Sequence, residues 1–218
     1  MQSQFIGQES RERHIVARLW RRIARRPLAA YCYVYFIDLT KAPDRSADTR
    51  VSVTWEIGDN QDAVESRVCV LPAENWSDVG DRLALNHWCL VGLCDGAVAH
   101  VAWAGVGRFK AYWSDRWFRL QPDDAYLYGA YTMPRFRGLR IHPASALSRL
   151  QEMRKRGVRR VYWFVDPSNH AARQLPAKVG AVRVGIAGFL EVAGIRLHFL
   201  TDVGHLTWSN PPLLIEKR

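Results

Sequence analysis

The sequence predicts a single α/β domain over residues 31–218, preceded by an N-terminal helical extension over residues 1–30. Three observations predict this fold class. Some stretches alternate β-branched and aromatic side chains as strands do, others repeat apolar side chains every three or four residues as helices do, and no repeat or low-complexity linker divides the chain. The 218 residues, 48% of them hydrophobic, are enough to bury one core of ordinary size.

The N-terminal part of the chain contains one predicted helix and two predicted strands. Residues 10–26 carry apolar side chains at helical spacing and are followed by Pro27, which predicts an amphipathic helix. Residues 31–39 and 50–57 are rich in β-branched and aromatic side chains, which predicts strands. Residues 62–84 are patterned more weakly, and we expect irregular structure there that leads into a short helix.

The strongest local signal is the pair Asp95-Gly96 between two apolar runs. Asp-Gly is a preferred two-residue turn between antiparallel strands, because both turn positions need a positive φ. The aromatic-rich residues 105–124 are predicted to form a loop. The remaining predicted elements are a strand at 125–133, a helix at 143–156, a strand at 158–165, a helix at 168–179, and a hairpin of strands at 182–192 and 195–202.

Positive charge is concentrated in two segments. The formal net charge is +10, of which residues 9–26 carry +5 (seven Arg, two Glu) and residues 135–160 carry +8 (nine basic residues, one Glu). Such basic faces bind anions. The second begins between a predicted strand and a predicted helix, where unpaired N–H groups and the helix dipole favour a phosphate. Neither a P-loop nor Gly-x-Gly-x-x-Gly is present, which argues against nucleoside triphosphates and dinucleotides.

Two motifs in the C-terminal half are similar to those of a known family. Arg135-Phe-Arg-Gly138-Leu-Arg140 follows Thr132-Met-Pro134, and Asn169-His-Ala-Ala172-Arg-Gln-Leu175 follows the next predicted strand. They resemble the Q/R-x-x-G-x-G/A and N-x-x-A-x-x-L-Y motifs of the GNAT superfamily of acyl-coenzyme A-dependent N-acyltransferases. The resemblance implies a central, mixed, twisted sheet that is splayed between two parallel strands, with helices on both faces.

The resemblance also implies an activity and a binding site. The implied reaction transfers an acyl group, most simply acetyl, from coenzyme A to a primary amine of a small molecule or sugar-like intermediate. Acetyl-coenzyme A or another acyl-coenzyme A is the implied cofactor, and a backbone N–H at Thr132 or Met133 would stabilise the oxyanion. The implied cofactor-binding residues are Thr132, Met133, Arg135, Arg137, Gly138, Leu139, Arg140, Ile141, Asn169 and Ala172.

The resemblance does not assign the acid and base of the reaction, because the sequence departs from the family at two positions. Pro176 stands where the family commonly has the tyrosine that protonates the departing thiolate, and Arg140 replaces the second small residue of the basic turn. A base is needed to deprotonate an alkylammonium, whose pKa is about 10.4. The candidates are Glu56, Tyr128, Tyr131 and His142, with Asp123 and Asp124 behind them. Tyr128 is also interpreted as a core residue with a bonded hydroxyl, and His142 equally as a capping or phosphate-side residue.

Several alternatives stay open. The N-terminal basic segment is interpreted as a solvated helix face, a docking surface for an acidic acyl carrier protein that replaces coenzyme A as donor, or a peripheral membrane contact. Nucleic acid ranks last, because no nucleic-acid-binding motif accompanies the charge. A GNAT-like scaffold that has lost catalysis and serves as a binding or regulatory module is the alternative from another class.

The composition predicts a cytoplasmic protein without metal. The longest uncharged apolar stretches fall far short of the roughly 20 residues that cross a membrane, and the N-terminus has no secretory pattern. Four cysteines without a Cys-x-x-Cys pair indicate a reduced chain. Neither they nor the seven histidines show the spacing of metal ligands.

Overall fold

The structure is a computed structural model that describes residues 29–44, 48–72, 78–111, 116–192, 195–201 and 207–209. The helix predicted at residues 10–26 lies outside these residues. In chain order the described elements are β1 (Ala29–Asp38), β2 (Thr54–Gly58), α1 (Gln61–Val68), α2 (Val79–Ala84), β3 (Trp88–Cys94), β4 (Ala97–Val106), β5 (Arg108–Lys110), β6 (Trp117–Arg119), β7 (Asp124–Thr132), α3 (Ile141–Lys155), β8 (Arg160–Val165), α4 (His170–Arg173), α5 (Leu175–Val179), β9 (Val182–Val192), β10 (Ile195–Leu200) and β11 (Thr207–Ser209).

The main sheet has eight strands in the order β10-β9-β1-β8-β7-β4-β3-β2. Its neighbouring strands pair antiparallel except β7 and β8, which are parallel and are joined by the crossover through α3. A second, three-stranded sheet has the order β11-β6-β5. The mixed α/β architecture predicted from the sequence is therefore confirmed. Within the described part of the chain, no helix is long and apolar enough to span a membrane.

The two parallel strands separate after three residue pairs. Asp124, Ala125 and Tyr126 of β7 pair with Arg160, Val161 and Tyr162 of β8, and no later residues of these strands are paired. From Leu127 onward the strands diverge and leave a gap at the centre of the sheet. This divergence is the splayed arrangement that the GNAT resemblance implies.

A β-bulge bends β7 away from β8. Tyr128 pairs with Trp103 and Tyr131 pairs with Val101, so two residues of β7, Gly129 and Ala130, face one residue of β4. Gly129 has a φ of +56°, which side chains rarely tolerate. A bulge sharpens the local bend and twist of its strand, and here the bend opens the sheet.

An ion-pair cluster closes the other end of the gap. Arg160 on β8 donates to the carboxylates of Asp124 (2.5 Å) and Asp123 (2.6 Å), and Asp124 is fully buried. Burial raises the pKa of Asp124, while the Arg160 guanidinium opposes the rise. The two parallel strands are thus held together by charge at the point from which they diverge.

We expect Arg160→Met to lower the free energy of unfolding by about 3 kcal/mol, because it leaves the buried Asp124 carboxylate without its partner. The neighbouring variant Arg159→Met is the control. The Arg159 side chain is 66% exposed and lies 3.9 Å from Asp123, so its loss should cost less than about 1 kcal/mol. Urea denaturation measures both, and equal losses would contradict the role of the buried pair.

The structure corrects four sequence-based expectations about elements. The strand predicted at 50–57 begins only at Thr54, because Arg50 donates its N–H to the Leu139 carbonyl instead of pairing in the sheet. Residues 61–68 form a helix, α1, that the pattern did not predict, although Asn60 caps it through the Ala63 N–H.

The other two corrections concern aromatic residues and a proline. The loop predicted at 105–124 contains the strands β5 and β6, whose Phe109 and Phe118 are buried and stack on each other. Phe109 also stacks on Tyr126 with ring centroids 3.7 Å apart, so these aromatic side chains belong to the core and not to a pocket. The helix predicted at 168–179 is divided into α4 and α5, because Pro176 lacks the N–H that would continue it.

Candidate active site

The gap between β7 and β8 is a cleft of about 490 Å³. Its walls come from the two diverging strands, from one face of α3 and from the segment that includes α4. A second cavity of about 550 Å³ adjoins it at the basic turn before α3. The residues that line both cavities are Ala130, His142, Asn169, Ala172 and Leu175.

The basic turn has the geometry of an anion site. Gly138 has a φ of +79°, and a Cβ added to it would meet no atom within 4 Å. Arg140 also has a positive φ, +62°, and immediately precedes α3. Ile141 and His142, the first two residues of α3, have amides without a helical acceptor, and both residues line the outer cavity at the positive end of the helix dipole. A phosphate fits this backbone.

The guanidinium groups around the turn are mostly exposed. Arg135, Arg137 and Arg140 are exposed, and Arg137 Nε donates to the Thr132 carbonyl at 3.2 Å. Two further cations were not predicted from the sequence. Arg50 Nη1 lies 3.4 Å from the Gly138 carbonyl, and Lys178 lines the outer cavity.

The other predicted cofactor residues have distinct roles. Ile141 is buried against Cys94 and Ala99, and Leu139 packs against the same cluster, so these two residues can offer only backbone groups. Asn169 accepts the Ala172 N–H at 2.9 Å and so fixes the start of α4. The small Ala172 side chain leaves space where the two cavities meet.

Only one of the two predicted oxyanion donors is free to act. The Met133 N–H donates to the Ala99 carbonyl at 2.9 Å, which contradicts a role for that amide. Backbone groups of successive strand residues point to alternate sides, so the Thr132 amide points away from β4 and toward the opening. The contact of Arg137 with the Thr132 carbonyl lies on that same side.

Residues 54–181, more than half of the chain, match the family model described as acetyltransferase (GNAT) family. The chain belongs to the GNAT acetyltransferase family. The resemblance that rested on the two motifs is thereby confirmed, and the central gap of the sheet is the cleft of a GNAT fold.

Two solved structures of low sequence identity share this fold, and a third is similar at a lower TM-score. A Drosophila protein superposes with a TM-score of 0.51 at 10% identity, covering 76% of this chain and 52% of its own. A GCN5-related glucosamine N-acetyltransferase region of a fungal multi-domain β-N-acetylglucosaminidase has a TM-score of 0.52 at 12% identity, covering 72% and 20%. A protein described as a GNAT-family acetyltransferase from Novosphingobium aromaticivorans has a TM-score of 0.48 at 16% identity, covering 73% and 62%.

The chain spans less than two thirds of the length of each of these structures. No curated protein matches the chain significantly. The two structures with TM-scores above 0.5 show the fold alone, and the chemistry of the site has to be argued from the residues of this chain.

Two of the four candidate bases in this GNAT site are engaged elsewhere. Glu56 lies on the edge strand β2 and forms an ion pair with Arg67 at 3.1 Å, outside the residues that line the cleft. The Tyr128 hydroxyl bonds with His87 Nδ1 at 2.7 Å, and burial raises its pKa far above the ordinary value. Tyr128 packs against the core with its hydroxyl bonded, as the core interpretation predicted, and it is also one of the residues that line the cleft.

The remaining two candidates face the cavities. Tyr131 lines the outer cavity, with the Arg137 guanidinium 5.8 Å from its ring centre. His142 lines both cavities and lies near His100, with ring centroids 5.7 Å apart. His100 is fully buried, and its Nδ1 bonds with the Thr132 hydroxyl at 2.8 Å. His142 therefore stands beside the strand residue whose amide faces the opening.

Burial, together with the positive charges of Arg149 and Lys178, lowers the pKa of His142 to about 4. His142 is thus neutral at physiological pH and has a nitrogen that can accept a proton. Of the four predicted bases, Tyr131 and His142 face the cavities, and His142 has an unprotonated nitrogen. A pKa near 4 makes that nitrogen a weak acceptor, so the amine has to enter the cleft already neutral.

The lowered pKa of His142 also makes the free energy of unfolding depend on pH in the acid range. Because His142 binds its proton near pH 4 when folded and near pH 6.5 when unfolded, stability falls as the pH drops through that window. We expect His142→Gln to remove roughly 3 kcal/mol of this acid destabilisation. Urea denaturation at pH 7 and pH 4.5 measures it. A wild-type pH dependence in His142→Gln would contradict the assignment.

The net charge of residues 135–160 suggested one basic face. In the structure, several of the basic side chains in this segment are instead paired with acidic residues. Arg154 pairs with Asp44, Arg156 pairs with Glu152, and Arg160 pairs with Asp123 and Asp124. Arg149 is buried and lines the cleft. The burial of Arg149 could have been predicted from the sequence, because Arg149 lies among the apolar residues of α3 and a charged residue in an apolar stripe is unusual.

Proposed function

We propose that the protein transfers an acyl group from an acyl-coenzyme A to a primary amine. The observation that carries this proposal is the continuous path from the basic turn at Gly138 to the bulged gap at Gly129, with the Thr132 amide facing that gap. Membership of the GNAT family and the match to the two motifs support it. The exposed arginines at the turn suit the phosphates of coenzyme A.

The residues of the cleft suit a direct attack on the thioester. His142, neutral at physiological pH, accepts the proton that the attacking amine loses. The Thr132 amide donates to the oxygen that becomes negative as the carbon–nitrogen bond forms. Pro176 is buried and offers no proton, so the sulfur leaves as a thiolate, for which a cysteine-like pKa of about 8.5 is low enough.

Calorimetry with coenzyme A and with acetyl-coenzyme A tests the binding step. We expect both to bind, and we expect binding to weaken with added salt because it involves phosphates. The absence of binding heat with either ligand at roughly millimolar concentration would contradict the proposal.

Thiol release with a panel of amines tests the transfer step. Glucosamine belongs in the panel, because one fungal structure that shares the fold is described as a glucosamine N-acetyltransferase region. The proposed acceptor is a small-molecule or sugar-like amine. Coenzyme A binding without thiol release for any amine would instead favour a GNAT scaffold that only binds, the alternative that Pro176 suggests.

The acyl donor is either coenzyme A, as proposed, or an acylated carrier protein. An acylated carrier protein would need the N-terminal basic segment, whereas coenzyme A would not. Removing the arginines of residues 9–26 should leave coenzyme A turnover unchanged under the present proposal. A selective loss of turnover with acylated carrier protein would support the carrier as donor.

A further inference from the structure

Arg149 is a buried cation at the closed end of the cleft. Its side chain extends from α3 and is only 2% exposed. Nη1 donates to the Trp103 carbonyl at 2.9 Å, and Nε lies 3.4 Å from the Ser145 carbonyl. Trp103 pairs with Tyr128, next to the bulge, so the guanidinium lies close to the point where the strands begin to diverge.

The Arg149 charge has no acidic partner among the described residues. The ion pairs that the structure describes on α3 involve Arg154, Lys155 and Arg156, and none involves Arg149. Two carbonyl contacts use only part of the five N–H donors of a guanidinium. Burial lowers the pKa of Arg149 to about 10, so the group stays charged at physiological pH. An unpaired buried charge is costly, and its retention at a cavity wall points to an anionic ligand.

The distance of Arg149 from the phosphate site at the start of α3 indicates which part of a ligand would reach it. His142, Ala146 and Arg149 line the cleft from one face of α3, at the spacing of successive helical turns. Arg149 thus lies about 10 Å along the helix from His142, at about 1.5 Å per residue. The phosphate end is at the start of α3, so a group that extends through the cleft past the reacting carbonyl approaches the guanidinium.

The rest of this end of the cleft is apolar or neutral. Leu127, Trp163 and Phe164 from the two strands line it. Asp166 is an acidic lining residue, but it is exposed and its carboxylate accepts from the Ser168 N–H and hydroxyl. A single cation in apolar surroundings selects one anionic group, and a guanidinium binds a carboxylate with two parallel hydrogen bonds.

We propose that Arg149 binds a carboxylate at the far end of the transferred acyl group, so that the donor is a coenzyme A thioester of a short dicarboxylic acid. This inference rests on the proposed function. In the reaction the acceptor nitrogen bonds to the thioester carbonyl carbon, the carbon–sulfur bond breaks and its electron pair leaves on sulfur. The proton of the amine passes to His142, and the distal carboxylate stays ionised on Arg149.

The test compares succinyl- with butyryl-coenzyme A, which differ by a carboxylate in place of a methyl group. For the wild-type protein we expect a kcat/KM at least roughly tenfold higher, and correspondingly tighter binding, for the succinyl thioester. Arg149→Met should reduce the ratio to about one while coenzyme A itself binds as before. Arg154→Met, on the same helix but outside the cleft, should keep the wild-type ratio.

The wild-type comparison needs no variant, so a folding defect in Arg149→Met leaves the test valid. A wild-type preference for the butyryl thioester, or equal use of both, would overturn the inference. A second arm compares an amino acid acceptor with the amine that lacks its carboxylate. If the carboxylate improves turnover only when it is on the acceptor, Arg149 binds the acceptor, and the proposal that it binds the acyl group is overturned.

The two proposals fail in different ways. If coenzyme A itself does not bind, the proposed function fails and this inference fails with it. If coenzyme A binds and acyl transfer occurs without a preference for the charged acyl group, only the inference about Arg149 fails.

Discussion

Gly138→Asp should abolish measurable coenzyme A binding, with a loss of roughly 100-fold or more in affinity. Aspartate tolerates the positive φ of this position better than most residues, and nothing in the structure obstructs its Cβ. Its carboxylate would occupy the space into which the first amides of α3 open. There it would compete with the phosphates for those amides and repel them.

Gly157→Asp is the matched control for Gly138→Asp. Gly157 follows the same helix at its other end, has a φ of +80°, and also has no atom within 4 Å of an added Cβ. Both variants should lose a similar amount of stability, about 1 kcal/mol, but only Gly138→Asp should lose binding in calorimetry. Equal affinities for the two variants would contradict a phosphate site at the basic turn.

Gly129→Val is the second substitution for which we expect a large effect, a loss of roughly 100-fold in kcat/KM. A Cβ at this position would lie 3.0 Å from Trp103 Cδ1 and 3.2 Å from Arg82 Nη1, and valine strongly disfavours the φ of +56°. The backbone can relieve both by returning to an extended conformation. That change would remove the bulge and bring β7 toward β8, which closes the cleft.

Gly107→Val is the control that separates the effect of losing the bulge from the effect of backbone strain at a positive φ. Gly107 has a φ of +73° but open space around it, and it lies outside the cleft. Both valine variants should be destabilised by about 1–2 kcal/mol, as measured by urea denaturation. Thiol release and coenzyme A binding should fall only in Gly129→Val. Wild-type turnover in a folded Gly129→Val protein would show that the bulge is not needed.

The local features of the site could be predicted because their chemistry lies within a few residues. Asp95-Gly96 forms the predicted turn with φ values of +49° and +76°, and Gly138 takes the left-handed conformation that its motif requires. Arg140 shows where such reasoning is incomplete. It adopts a left-handed φ although it replaces a small residue, because the turn before α3 needs that backbone conformation whichever side chain is present.

The candidate bases could not be ranked from the sequence, because each choice depends on which other side chains the fold brings against the candidate. Arg67 engages Glu56, and His87 bonds the Tyr128 hydroxyl across 41 residues. His142 gains its neutral state from burial and from the charges of Arg149 and Lys178. None of these effects leaves a periodic pattern in the sequence.

By itself, the sequence determined the α/β class, the family, the turn at Asp95-Gly96 and the basic turn before α3, since each depends on side-chain period or on the φ preferences of adjacent residues. Only the tertiary structure decided that β7 leaves β8 at Tyr126, that the Thr132 amide faces the gap, and that Arg149 is buried at its closed end. The physical reason is that strand pairing, bulges and the burial of charge depend on which distant segments pack together, and neighbouring residues do not encode that contact.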